Sequence, residues 1–385
     1  MRFVLICIAV LSLGITAHAS DSLTDRIRTA QNSGDYAEAA RLYGQLIASG
    51  TDTPEIRSNR GVMLHLGGRN REALEQFRIA LQGDSNLASA NLFAGVSAFE
   101  LGELKTAVPY LEKARQLDPD RPAPLLALGK VYVGLREYGR ANELYAKAVA
   151  LDTHLAEAWY GLGVTRRSLA EEILNRAARR GETKDAAGSA KVQELLNGAV
   201  QALTRAIDLD PNSARAHLLM AESLSDAGKL VEAVPEYQAA LKLDPHLDAA
   251  YLGLASEYWK QRQFDQALPL LRYLLERSPR DPETNAMMAD ISEHNGDMPS
   301  AQRFAQTALA GNPDLIETHV VLARVYLSEK RPELAIDELR KVIFADPDGS
   351  YHFLLSRACH QVGDEQGAKD ALAEFQRLRS GTAKR

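Results

Sequence analysis

The sequence predicts an all-α protein, a solenoid of about ten helix–turn–helix units, on three observations. An alanine recurs at a constant interval along most of the chain. A proline recurs in phase with it, and in most units another Gly, Ala or Ser precedes the alanine at a fixed spacing, as Gly61 precedes Ala73. The interval of about 34 residues is, with these marks, typical of a repeated helix–turn–helix. The repeat alanines are Ala39, Ala73, Ala107, Ala141, Ala199, Ala233, Ala267, Ala301, Ala335 and Ala368.

The phase of the alanines sets the boundaries of the units. The interval lengthens between Ala141 and Ala199, and it is one residue shorter before Ala368. No linker or low-complexity segment interrupts the array, so we expect residues 20–382 to form one repeat domain, followed by a basic tail at 383–385. The units are 20–53, 54–87, 88–121, 122–155, 156–213, 214–247, 248–281, 282–315, 316–348 and 349–382.

Each unit contains two stripes of apolar residues at helical spacing. In the fourth unit, Leu125, Leu128 and Tyr132 belong to the first stripe, and Leu144 and Ala148 to the second. Six other units place a glycine between the stripes, which suits a left-handed residue after a helix. The fourth unit has Arg136 there. Pro109, Pro235 and Pro269 are expected in the first turn of their second helices.

The fifth unit, 156–213, contains 24 additional residues. Residues 166–180 favour a helix, and 191–196 return to a helical pattern, so the simplest interpretation lengthens both helices into one extended hairpin. About 12 additional residues per helix would project about 18 Å. The hairpin at 166–196 is either a docking or self-association element or an insertion tolerated at an exposed turn.

Residues 1–19 have the pattern of a signal peptide. Arg2 precedes an apolar run from Phe3 to Thr16, and Ala17-His18-Ala19 offers small residues before a cleavage site. The run is shorter than the roughly 20 residues that span a bilayer, which favours cleavage after Ala19 over an uncleaved anchor. We therefore expect an exported protein, periplasmic or secreted.

Composition and motifs argue against catalysis and against nucleic acid as the main partner. The net charge is −6, and a mildly acidic surface repels a phosphate backbone. The sequence lacks a phosphate-binding loop, an HExxH pair and a GxSxG elbow, so we expect no enzyme, cofactor or metal. His217, His319 and His352 occupy the position of Trp159 and Tyr251 in their own units, which favours packing over metal binding.

The repeat resembles the tetratricopeptide repeat family. Trp159-x-x-Leu162-Gly163 matches the opening of the family motif, and Ala233-x-x-x-Tyr237-x-x-Ala240 followed by Pro245 matches its close. The resemblance covers nearly all of the chain after Ala19. It implies a right-handed superhelical solenoid whose inner groove, lined by the first helix of each unit, receives an extended peptide or a partner helix.

Carried over by position, the resemblance implies a groove that is mostly apolar in its first half and mostly charged in its second. The groove residues are Leu92, Val96, Phe99, Leu126, Lys130, Val133, Tyr160, Val164, Arg167, Leu218, Glu222, Leu252, Trp259, Lys260, Asp290, Arg324, Phe353 and Arg357.

Two pairs of groove residues carry alternative interpretations. Phe99 and Trp259 share one position in different units, and either anchor a ligand side chain or pack on the groove wall. Arg324 and Arg357 share another position in adjacent units and either clamp an anion together, or Arg324 pairs with Asp290, which holds that position one unit earlier.

The expected function is that of a non-enzymatic scaffold for protein–protein interaction, binding a peptide or helix of a partner in its groove. Together with the signal pattern, this indicates a role in cell-envelope assembly or secretion. The alternative is an accessory subunit of an exopolysaccharide or outer-membrane biogenesis machine, which binds a glycan or a glycan enzyme; Trp259 and Phe353 are the aromatic residues that favour it.

Overall fold

A computed structural model describes residues 18–179 and 189–382, and within these residues all regular structure is helical. The chain divides into two compact units, Met1–Pro211 and Asn212–Arg385. Each is a stack of helix pairs, in which odd-numbered helices are the first helices of the repeats and even-numbered helices the second. The all-helical prediction is confirmed.

The first unit contains the first five repeats. Their first helices begin at Pro54, Ala88, Pro122 and Ala156, the opening residues of the second to fifth repeats. The helices are α1 His18–Asn32, α2 Tyr36–Ala48, α3 Pro54–Leu66, α4 Asn70–Gly83, α5 Ala88–Glu100, α6 Leu104–Leu117, α7 Pro122–Gly134, α8 Tyr138–Leu151, α9 Ala156–Ala178 and α10 Ala190–Leu209.

The second unit contains the remaining five repeats. Its helices are α11 Ala214–Asp226, α12 Leu230–Leu243, α13 Asp248–Lys260, α14 Phe264–Arg277, α15 Pro282–His294, α16 Met298–Gly311, α17 Ile316–Ser328, α18 Pro332–Val342, α19 Ser350–Gln361 and α20 Glu365–Thr382, with a short 3₁₀ turn at Ile343–Ala345. Within this unit each helix packs against the next, and each odd-numbered helix also contacts the next odd-numbered one.

The repeat alanines form the centre of each helix pair. Every one from Ala39 to Ala335 is fully buried. The residue four positions later is bulky in most repeats and faces the small residue of the first helix. A Cβ added to Gly61 would lie 2.6 Å from the Phe77 ring, and one added to Gly163 would lie 2.5 Å from Leu203. Small and large residues therefore interlock across each of these pairs.

Each turn between paired helices that the structure describes uses one left-handed residue. Six of them are glycines with φ between 75° and 80°: Gly34, Gly68, Gly102, Gly228, Gly296 and Gly363. Arg136 has a φ of 60° at the equivalent position, as its place in the repeat indicates. Arg262 and Lys330 do the same, with φ of 60° and 58°, so the register of the repeat imposes this conformation even on side chains that disfavour it.

The expectation for three prolines is wrong. Pro109, Pro235 and Pro269 lie inside α6, α12 and α14, each at the sixth residue, beyond the first turn. The reason is that these helices begin three residues before the repeat alanine, so each proline removes one intrahelical hydrogen bond.

Both helices of the long hairpin predicted in the fifth repeat are present. Helix α9 has 23 residues where α3, α5 and α7 have 13, and α10 has 20 where α4, α6 and α8 have 14. Ala170, Val192 and Leu196 are buried between the two helices. The Arg166 guanidinium donates to the Gly198 carbonyl at 2.7 Å, and burial lowers the pKa of Arg166. The predicted turn at 181–189 lies almost entirely outside the described residues.

The predicted signal segment, 1–19, also lies outside the described residues apart from its last two, which begin α1. Among the helices that the structure describes, none combines the length and the apolar character needed to cross a bilayer.

Candidate functional site

The second unit contains a cleft of about 210 Å³ on its first helices. Three consecutive repeats contribute to it: α13 supplies Leu252 and Trp259, α15 supplies Asp290, and α17 supplies Val321. Leu252, Trp259 and Asp290 are groove positions implied by the family resemblance. The structure therefore brings these three together on one surface, which we call the Trp259 cleft. The other lining residues are Ser256, Glu283, Ala286, Met287, Leu315, Glu317 and Thr318.

A polar network fixes one side of the Trp259 cleft. The Trp259 indole N–H donates to Asp290 Oδ2 at 2.8 Å, and the Arg262 guanidinium donates to the same oxygen at 3.3 Å. Arg324 lies 3.5 Å from Asp290 Oδ1 and donates to Glu293 at 3.0 Å. The prediction that Arg324 pairs with Asp290 is thus confirmed. Because its N–H is bonded within the protein, Trp259 presents its ring face and edge, not its donor, to the cleft.

The anion clamp formed by Arg324 and Arg357 is not seen. Arg324 is held by Asp290 and Glu293, as given above. Arg357 is exposed and makes no ion pair within residues 189–382. Arg324 therefore forms its ion pairs with Asp290 and Glu293 of the preceding first helix, α15.

The rim of the Trp259 cleft is acidic. Glu283 and Glu317 are exposed, and neither forms an ion pair with another residue that the structure describes. Each is the second residue of its helix, α15 or α17. Sequence reasoning missed both, although an acid at the same position of adjacent repeats was the signal. It also missed Met287 and Val321, which line the cleft.

Several other groove positions of the second unit make contacts within the protein. Lys260 donates to Glu257 at 3.0 Å, and Glu257 is 1% exposed and also accepts from the Ser225 hydroxyl. Phe353 is 43% exposed and its ring lies 5.3 Å from that of Phe375. Leu218 and Glu222 are half-buried on α11. Phe353 therefore lies apart from the Trp259 cleft, and the two aromatic residues that favour a glycan do not form one platform.

In the first unit, the apolar side chains at the groove positions are largely buried by packing between helices. Leu92 and Leu126 retain only 6% and 8% exposure. Val96, Phe99 and Val133 are half-buried and pack against the core of this unit. This packing matches the groove-wall interpretation of Phe99 and leaves little apolar surface for a ligand.

The remaining groove positions of the first unit are partly polar. Lys130 forms an ion pair with Glu157 on the next first helix, and Arg167 pairs with Glu171 at 3.3 Å. Tyr160 and Val164 are half-buried on α9. The charged groove positions of this unit are thus engaged by acids of the same unit.

The histidines at the position of Trp159 have structural partners. His217 lies 2.7 Å from Glu236 and His319 lies 2.5 Å from Glu338. His319 also contacts the Pro313 carbonyl six residues earlier at 2.9 Å, as the Trp159 indole contacts that of Thr153 at 3.0 Å. His352 lies 2.7 Å from Asp346, so all three histidines have a partner within the protein, as the packing interpretation predicts.

Asn91 and Asn285 share this position, which the sequence analysis did not notice. Their side-chain amides donate to the carbonyls of Ser85 and Pro279, again six residues earlier. The common feature is a donor that ties the first helix to the turn before it. No group of three or more His, Cys, Asp or Glu residues that can hold a metal occurs within the described ranges.

Two curated relatives and one solved structure illustrate what the chain is similar to. The TPR repeat-containing protein YpiA of Bacillus subtilis is 23% identical over 71% of this chain and 67% of its own length. Subunit 7 of the anaphase-promoting complex of Mus musculus is 26% identical over a matched region that covers 43% of this chain and 30% of that subunit. The pilF structure from Pseudomonas aeruginosa is 19% identical, covering 62% of this chain and 97% of that one, with a TM-score of 0.48.

Two family models, each described as tetratricopeptide repeat, match most of the chain. One matches residues 98–159, 224–291, 258–314 and 294–359, and the other matches residues 24–88, 67–122 and 185–248. Together with the helix pairs and their buried repeat alanines, these matches show that the chain belongs to the tetratricopeptide repeat family.

Proposed function

We propose that this protein is a non-enzymatic scaffold that binds an extended segment of a partner protein in the Trp259 cleft. Tetratricopeptide repeats typically serve as scaffolds for protein–protein interaction. The observation that carries the proposal is the convergence of Leu252, Trp259 and Asp290 from two neighbouring first helices, with Val321 from a third, on one cleft. A ligand lying across three repeats contacts all of them at once.

The chemistry of the cleft indicates the chemistry of the segment. Leu252, Met287 and Val321 supply an apolar floor that suits an aliphatic side chain. Glu283 and Glu317 add exposed carboxylates from the first turns of α15 and α17. An apolar residue flanked by Lys or Arg complements this arrangement, because opposite charges across an interface favour encounter and register.

The charge balance of the first helices as a whole agrees with a basic segment. The first helices of the second unit, α11 to α19, carry eight acidic and four basic residues. The acids are Glu222, Asp226, Asp248, Glu257, Glu283, Asp290, Glu293 and Glu317, and the bases are Arg215, Lys260, Arg324 and Arg357.

Reversing the rim charges is expected to weaken binding of a basic peptide. The probe is a short labelled peptide in which Leu and Lys alternate, compared by fluorescence anisotropy with one in which Leu and Glu alternate. The Glu283→Lys, Glu317→Lys double variant should lose about tenfold in affinity for the basic peptide, since exposed charges contribute up to about 1 kcal/mol each.

The matched control reverses Glu232 and Glu276, two exposed acids on second helices of the same unit. It changes the net charge equally and should leave the affinity near that of the native protein. Equal binding of the two peptides, or equal losses in the two double variants, contradicts the proposed basic segment. Binding of either peptide that survives Trp259→Ala contradicts the cleft itself.

We also propose that the protein acts outside the cytoplasm, in cell-envelope assembly or secretion. The support is the sequence of residues 1–19, with its apolar run and its Ala17-His18-Ala19 end. Mass spectrometry of the protein isolated from the expressing cells should find Ser20 at the N-terminus. A mature protein that still begins at Met1 contradicts this part of the proposal.

A further inference from the structure

The ninth repeat, 316–348, is one residue shorter than its neighbours, and its second helix ends early. Helix α18 has 11 residues, whereas α12, α14 and α16 have 14. A 3₁₀ turn at Ile343–Ala345 replaces the last helical turn. Asp346 then closes the connection by accepting hydrogen bonds from the backbone N–H groups of Gly349 and His352. The path of the chain after α18 is therefore specific to this repeat.

The 3₁₀ turn that ends this repeat carries an exposed aromatic ring. Phe344 is 81% exposed, and it is not among the residues that pack against the buried core of this region. It stands nine residues after its repeat alanine, a position that is small or polar in the other repeats up to this one. The equivalents are Ala48, Gln82, Gln116, Ala150, Asp208, Lys242, Glu276 and Ala310. Phe344 is thus an apolar exception at a solvent-facing position.

A cleft of about 820 Å³ lies beside Phe344. Its floor contains Leu322, Tyr326 and Val342, which are 3%, 7% and 3% exposed. Leu309 and Ala310, from the end of α16, form the opposite wall. The volume is within the range of about 300–1,000 Å³ that is typical of pockets that bind small molecules, and is ample for a phenyl ring. We call Phe344 and this cleft together the Phe344 patch.

We propose that the Phe344 patch is an interface between two copies of this chain, in which Phe344 of each copy enters the cleft of the other. A two-fold interface joins the same patch on both copies, so the patch must carry both a projection and a matching cavity. Phe344 and the adjoining cleft satisfy this requirement within one repeat.

The charges at the rim of the cleft also meet the requirement that the patch complements a second copy of itself. Asp314 is exposed on one side, and Lys341, which is 54% exposed, pairs with Glu338 at 2.9 Å on the other. Both signs are thus present, so a two-fold pairing brings unlike charges into reach. Burial of two exposed aromatic rings then favours the pair.

The proposed interface shares no lining residue with the Trp259 cleft. It also lies outside the hairpin at 166–196, the self-association element that the sequence suggests. The Phe344 patch is formed by α16, α17, α18 and the 3₁₀ turn, all in the second unit. Peptide binding and self-association are therefore expected to be separable by substitution.

The first test measures self-association of the purified protein by sedimentation equilibrium. The native protein should dimerise, and Phe344→Lys should weaken the dimer by about 30-fold or more, since each dimer buries two such rings. The control is Val231→Lys, which places the same charge at an apolar residue that is 76% exposed elsewhere in this unit. A native protein that is monomeric at high micromolar concentration overturns the proposal, as does an equal effect of the two substitutions.

The second test distinguishes a reciprocal interface from any other contact. Phe344→Ala removes the projection, and Ala310→Arg blocks the cavity from an exposed position. Each variant alone should be monomeric and should retain the helical circular dichroism of the native protein. Mixing the two should restore part of the association, because one of the two contacts can form, between Phe344 of the blocked chain and the open cleft of the other. If the mixture stays monomeric while the native protein dimerises, the reciprocal arrangement is wrong.

Discussion

Replacing Phe77 by alanine is expected to lower the free energy of unfolding by about 3–5 kcal/mol. The Phe77 side chain is fully buried and stacks on Phe93 of the next repeat, with ring centroids 6.4 Å apart. It also fills the space that Gly61 leaves on the facing helix. Truncation therefore opens a cavity inside one repeat and against its neighbour, where the rigid helices cannot close it. Urea denaturation followed by circular dichroism measures the loss.

The same deletion at Phe353 is the matched control. That ring is 43% exposed and contacts Phe375. Its removal should cost about 1 kcal/mol, because little apolar surface returns to water and no closed cavity forms. Similar losses at the two positions would contradict the assignment of Phe77 to the centre of its helix pair.

Replacing Gly95 by leucine is expected to destabilise the protein by about 3 kcal/mol. A Cβ at this position would lie 2.4 Å from Leu111 Cγ and 3.2 Å from the Ala107 carbonyl oxygen. Leu111 is fully buried, so its side chain has no free volume to enter. The carbonyl belongs to the facing helix, so α5 and α6 must separate to admit any side chain at residue 95.

The control for Gly95→Leu is Gly139→Leu. Gly139 is an exposed residue of α8, and a Cβ there would meet no described atom within 4 Å. Leucine at this site should be neutral or stabilise by up to about 1 kcal/mol, because glycine is a poor helix former. Adding Leu111→Ala to Gly95→Leu should recover part of the loss. An unchanged urea midpoint for Gly95→Leu would contradict the close approach of α5 and α6.

Much of the local structure could be predicted from the sequence because equivalent positions of each repeat make equivalent packing contacts. The repeat period places first helices at Pro54, Ala88 and Pro122. It also placed Arg136 at a turn that requires a left-handed residue, although arginine itself favours no such turn. The prolines were misplaced because a repeat predicts register better than it predicts helix ends, which depend on how the preceding turn closes.

The candidate site was predictable only where it followed from register. Asp290 and Arg324 hold one position in adjacent repeats, and they pair at 3.5 Å. Whether a groove position remains open depends instead on the neighbouring side chains. Leu126 has the same expected role as Leu252, yet Leu126 is buried while Leu252 lines a cleft.

By itself, the sequence determined the family, the helix pairs, the buried alanines and the position of the long hairpin, because these follow from periodic contacts between residues close in the chain. The tertiary structure alone decided which groove positions form a cleft and what a missing residue does to the ninth repeat. The ninth repeat is one residue shorter than its neighbours, its helix α18 has 11 residues, and Phe344 follows beside a cleft. Whether a cleft forms depends on how the side chains of neighbouring repeats pack where one repeat departs from the others. It is set by distances between side chains, which a repeat pattern does not contain.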